Sequence, residues 1–138
     1  MLSRTLSLVA LACLTALVVA ADKPTPIKPI KMFKGRIDKD QQKESPKDGV
    51  IANAKDLEKL WKAWKIKDEM PKVDFDKELV LVVTSSTSGL RASATLDDKG
   101  DVKVLSLATR DIRDDFAFNI LVISRTGVKT INGKDIPK

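Results

Sequence analysis

Apolar residues recur along this chain with two different periods. Leu57, Leu60, Trp61 and Trp64 fall at i, i+3, i+4 and i+7, one face of a 3.6-residue repeat. Lys55, Glu58, Lys59, Lys62 and Lys65 take the opposite face. The spacing predicts an amphipathic helix over residues 53–67. Asn53 can cap its free N–H groups. Asp56 in the first turn and lysines in the last suit the two ends of the helix dipole. Pro71 cannot continue a helix, so the element must stop before it. Two tryptophans on the apolar face read as core packing against a sheet rather than as a ligand-stacking platform, because an apolar stripe normally faces a core.

The remaining pattern is that of strands. Leu79 to Val83 is a continuous apolar run, and residues 116–124 are strongly apolar around a second run, Ile120 to Ile123. Such runs predict strands buried on both faces. Over residues 90–96 the alternation is clean. Leu90, Ala92, Ala94 and Leu96 face one way, and Arg91, Ser93 and Thr95 the other, as in a half-buried strand. Asp97 to Gly100 reads as a hairpin turn into a partner strand at 102–107. Further strands are expected at 30–37, 49–51 and 128–131, with a polar loop at 38–48 and a charged loop at 108–115. Short turns between strands imply antiparallel pairing. The predicted class is α+β: one amphipathic helix on an antiparallel sheet of about five to seven strands. The N-terminal strands could cover the second face or close a partial barrel.

The start of the chain changes the picture. Arg4, an apolar run from Leu6 to Val19, and the small residues Val19, Ala20 and Ala21 make residues 1–21 read as a secretory signal peptide cut near Ala21. The run is short for the about 20 residues of a membrane span. The single cysteine, Cys13, lies within it. The mature domain is therefore expected to hold together by its core alone, although an exported protein could have used disulfides. Pro24, Pro26 and Pro29 predict a semi-rigid tether over 22–29, followed by a single domain over 30–138. The net charge is +6, with lysines and acids interspersed. Without a basic block or an aromatic-rich motif, nucleic acid is not an expected partner. Membrane contact is expected only through an uncleaved signal peptide.

The block from the helix to the first long strand has a family look. It carries the Leu60-Trp61 pair, then Pro71, Val73, Asp74 and Phe75, then Glu78 leading into Leu79–Val83. Over residues 50–107 this is similar to the PrcB C-terminal domain family of small exported bacterial proteins. The resemblance implies a helix-on-sheet fold and a stabilising or assembly role, like that of the surface-protease subunit behind the family's name. It implies no catalytic residues. The family follows its first strand with a glycine-rich turn bearing tyrosine. Here only Gly89 matches, and the chain has no tyrosine. The same residues have local physical readings: Asp74 can accept backbone hydrogen bonds in a turn, and Phe75 can plug the helix–sheet junction.

The available chemistry is narrow. There is no histidine, the commonest general base and zinc ligand. Ser-His-Asp and Cys-His arrangements are excluded, no S-x-x-K occurs, and the six glycines form no phosphate loop. Two acidic clusters remain: Asp97, Asp98 and Asp101 in a turn, and Asp111, Asp114 and Asp115 in a loop. Calcium takes oxygen ligands, but aspartate also favours turns for purely local reasons. Arg110 and Arg113 would neutralise the second cluster. A glycosidase-like carboxylate pair would need a substrate cleft, usually lined by aromatic residues, and the chain has two tryptophans and four phenylalanines, most wanted by the core.

The expectation is an exported, non-catalytic interaction or assembly module of the bacterial cell envelope, periplasmic or secreted. No catalytic, cofactor-binding or metal-binding residue is expected. Its partner would be another envelope or secreted protein, met at an exposed strand edge, either 128–131 or 31–37. The alternative is a small hydrolase or carbohydrate-binding protein using carboxylates alone.

Overall fold

The two long apolar runs lie side by side. The computed structural model describes residues 23–138, so the expected signal peptide at 1–21 falls outside the described residues. In chain order the elements are β1 (Thr25–Ile27), β2 (Lys31–Ile37), β3 (Val50–Ile51), α1 (Ala54–Ala63), β4 (Glu78–Ser85), β5 (Leu90–Leu96), β6 (Asp101–Ala108), β7 (Phe116–Ser124), β8 (Thr130–Ile131) and β9 (Lys134–Asp135). Strands β4 and β7 are antiparallel neighbours from Glu78↔Ser124 to Ser85↔Ala117. They form the middle of a four-stranded sheet of order β2-β7-β4-β3. A second sheet of order β1-β5-β6-β8-β9 carries the remaining strands.

The central pair has no alternation because it is covered on both faces. Val80, Val82, Phe118, Ile120 and Val122 pack under Leu57, Leu60, Trp61 and Trp64 of the helix side. Leu79, Leu81, Leu121 and Ile123 pack against Ala92, Ala94, Val102 and Ile131 of the second sheet. The layers are thus helix, four-stranded sheet, five-stranded sheet. The described residues are mostly sheet with one α-helix, in loose agreement with an α+β class. The single sheet and the partial barrel are corrected: the strands divide into two sheets that do not close. The cause is the two-sided apolar character of β4 and β7. One helix covers one face, and β5 and β6 turn back over the other after the 86–89 turn.

Two further expectations are corrected. Part of the Pro-rich segment is structured: Thr25–Ile27 pairs antiparallel with Leu96–Ala94 at the edge of the second sheet. Pro26 is tolerated there because an edge strand can leave its donor side unpaired. Antiparallel pairing also fails once, where β8 runs parallel to β6 through Asp101↔Thr130 and Val102↔Ile131.

Helix α1 starts as expected, with the Asn53 side chain accepting from Asp56 N at 2.8 Å. It ends sooner, at Ala63 rather than near 67. Lys65 takes a left-handed φ of 49°. Lys65 N then donates to Lys62 O and Ile66 N to Trp61 O, both at 3.2 Å. This is the Schellman ending, which returns the next apolar residue to the helix, and Ile66 does pack on the helix-side core. Trp64 Nε1 donates to Gln41 O at 2.8 Å, fastening the turn of 3-10 helix at Gln41–Glu44 to the helix end. Asp74 behaves as the sequence suggests, its Oδ1 accepting from Asp76 N at 3.1 Å, and Phe75 packs at the helix–sheet junction.

Between the sheets lies the buried polar side chain of Asn119, 1 % exposed. We orient its amide so that Nδ2 donates to Phe118 O and Oδ1 accepts from Ala92 N, both at 2.9 Å. Beyond the three residues covered by β1, this amide takes the place of a neighbouring strand for β5 and joins the two layers.

Candidate functional site

The acidic residues were the first candidates for chemistry, and the structure gives most of them partners within the fold. Asp97 Oδ1 accepts from Lys99 N and Asp101 N, both at 2.9 Å, closing the β5–β6 hairpin. Asp101 Oδ1 accepts from Gly133 N at 2.9 Å and from Thr130 Oγ1 at 2.8 Å, fixing the β8–β9 turn. The Gly133 N–H, and after it the Thr130 hydroxyl, hold the Asp101 carboxyl below its ordinary range. These bonds are local reasons for aspartates to gather in this turn.

The second cluster latches the 108–115 loop to the β4–β5 turn. Asp111 accepts from the Thr109 hydroxyl and from Ser88 N at 3.1 Å, which brings its carboxyl down to about 2. Asp115 takes a bidentate pair from Arg36 of β2, Nε to Oδ2 at 2.7 Å and Nη2 to Oδ1 at 2.6 Å. That charged fork drives the Asp115 carboxyl far below the usual carboxylate range. Arg36 Nη1 also donates to Thr87 O at 3.1 Å and Ser88 O at 3.2 Å. The cluster therefore ties β2, the β4–β5 turn and the start of β7 into one network. Asp98 and Asp114 take no part in these contacts. Among the described residues no group of three or more His, Cys, Asp or Glu is placed to hold a metal ion.

The surface that stands out is the edge of the four-stranded sheet. Strand β2 pairs with β7 along its whole length, from Lys31↔Val122 to Ile37↔Phe116, and no described strand pairs with its other side. One face of β2 is fixed to the helix layer. Phe33 meets Trp61 edge-on, with centroids 5.0 Å apart, and Ile37 is buried. Gly35 lies beneath the Phe118 ring, where a Cβ would come within 2.7 Å of Cζ. A bare glycine covered by a cross-strand aromatic keeps an edge strand in place.

Along this edge, Ile30 is 53 %, Met32 42 % and Met70 38 % exposed. Met70 arrives from the far end of the helix–strand connection, because Trp61 Nε1 donates to Asp68 O at 2.8 Å. A groove of about 520 Å³ separates β2 from this connection, lined by Lys31, Met32, Phe33, Glu69, Met70 and Pro71. No ion pair engages Lys31, Lys34 or Lys72 among the described residues.

Of the two edges expected from sequence, residues 31–37 form one and 128–131 do not. Strand β8 lies between β6 and β9. Lys129 N donates inward to Gly100 O at 2.7 Å, and Asn132 N to Val102 O at 2.7 Å. Sequence reasoning missed the contribution of Met70, which is 38 positions from Met32 and carries no local signal. It also missed Leu105 and Leu107 of β6, which are 55 % and 74 % exposed beyond the reach of β8. Their alternation with Ser106 was the available signal. Comparisons with family models, curated proteins and solved structures find no match to this chain.

Proposed function

We propose that this chain is an exported, non-catalytic interaction module of the bacterial cell envelope, and that it binds by adding a partner's strand to β2. The observation that carries the reading is the unpaired outer side of a seven-residue strand, flanked by exposed Ile30, Met32 and Met70. An exposed edge is a template for another chain, and folds normally blunt it. Here Lys31 and Lys34 discourage indiscriminate pairing, while the groove beside them offers side-chain pockets of the kind strand addition uses. The non-catalytic reading is supported by the two acidic clusters, in which Asp97, Asp101, Asp111 and Asp115 are engaged by backbone and arginine donors.

The test is a photo-crosslinking amino acid placed at Met32 in the exported protein, with Lys59 on the outer helix face as control. A discrete crosslinked product from position 32 alone is the expected result. Equal crosslinking from both positions would remove β2 as the binding edge. Turnover of a hydrolase substrate, abolished by one Asp or Glu substitution in a folded protein, would overturn the non-catalytic reading.

A further inference from the structure

We infer that the occupant of the β2 edge is an extended acidic segment with apolar residues at alternate positions, supplied by another protein and not by a second copy of this chain. The inference rests on the edge reading above and adds the chemistry of the partner. Its basis is charge. From Ile30 to Ile37 the edge reads IKMFKGRI, with three cations and no acid. Arg36 is already held by Asp115, but Lys31 and Lys34 are exposed and outside the ion pairs of the fold. Lys72 stands across the groove, with Glu69 as the one acid lining it.

A twofold copy would set this strand antiparallel to itself. No register of IKMFKGRI against IKMFKGRI brings an acid opposite a lysine, and several bring cation opposite cation, which destabilises a strand pair. An incoming strand of the opposite sign has neither difficulty. Its alternate residues would fall on the two faces of the sheet. Those on the helix face meet Phe33, Met70 and Pro71 in the groove, where apolar side chains fit. Those on the other face meet Met32 and Lys34, where a carboxylate finds a free ammonium. Lys31 and Lys72 at the groove mouth accept a further acid.

The probe is a ten-residue peptide alternating valine and glutamate, compared with valine–glutamine and valine–lysine peptides of equal length. Binding is read by fluorescence anisotropy and located by amide hydrogen exchange. The expected result is binding of the glutamate peptide alone, weakened as salt rises from about 0.05 to 0.5 M. Slowed exchange should be confined to β2 and the 69–72 connection. Lys31→Glu with Lys34→Glu, both at exposed positions, should weaken binding about tenfold or more, two lost and reversed charge pairs, and should leave the thermal midpoint in place. Equal binding of the glutamine peptide with β2 protected would overturn the acidic partner and leave the edge reading standing. A dimer in sedimentation with β2 amides protected in the absence of peptide would make a second copy the occupant and overturn the inference. Absence of binding by all three peptides would overturn both.

Discussion

Replacing Trp61 by alanine would remove the side chain on which the helix, the β2 edge and the groove wall all depend. Trp61 is 7 % exposed. Emptying a buried aromatic site costs about 3–5 kcal/mol in measured series. Two features place this site toward the upper end. The edge-on contact with Phe33 contributes about 0.5–1.5 kcal/mol beyond area burial. The Nε1 bond to Asp68 O contributes a further net of about 1 kcal/mol. With a urea slope near 1.5 kcal/mol per molar, a typical value for a small domain, the midpoint should fall by about 2–3 M. The remaining buried indole, Trp64, reports the transition by fluorescence. Trp61→Phe separates the parts, because it keeps most of the ring and loses the donor. It should cost about 1–2 kcal/mol and speed amide exchange in the 68–72 connection without unfolding the core. A loss under about 1 kcal/mol for Trp61→Ala, the size expected of an exposed position, would refute the view that this face is core. Unchanged exchange in Trp61→Phe would refute the role of the indole N–H in holding the groove wall.

The remaining predictions are more local. Asp115 has its folded pKa depressed by Arg36, so its stabilisation is present above the unfolded value of about 3.9 and is lost as pH falls through the folded value. Asp115→Asn should therefore be less stable than wild type at pH 7, with the gap in urea midpoints narrowing as pH drops from about 4 toward 2; a gap that does not change with pH would dismiss the ion pair. Lys129→Pro removes the shorter of two backbone bonds to Gly100 O and should lower stability by about 0.5–1.5 kcal/mol, whereas an unshifted melting curve would mean that this N–H faces outward after all. The proposed export is checked by mass spectrometry of the envelope fraction, which should find an N-terminus at Asp22 or Ala21; an intact Met1 there would refute cleavage.

Much of the fold is legible because it is local. The period of Leu57, Leu60, Trp61 and Trp64 and the Asn53 cap specify α1. The alternation from Leu90 to Leu96 specifies β5, and the apolar runs Leu79–Val83 and Ile120–Ile123 specify β4 and β7 as strands covered on both faces. The helix end was misplaced because the sequence offered Pro71 as a stop. The left-handed turn at Lys65 is set by Ile66 reaching back to the core.

What the tertiary structure alone decided is non-local. Two-sided burial of β4 and β7 requires a cover on each face, but only the folded chain shows that a second sheet, and not a barrel wall, supplies the outer one. The acids of the 108–115 loop looked like possible ligands because their partners, Arg36 and Ser88, are 79 and 23 residues away in sequence. The candidate edge needed the same information. Residues 31–37 and 128–131 are equally strand-like in sequence, and hydrogen bonds from Lys129 and Asn132 to distant carbonyls leave only β2 open. Periodicity determines which residues face inward along one element. Which elements become neighbours is settled by long-range burial, and an edge is a property of the neighbours.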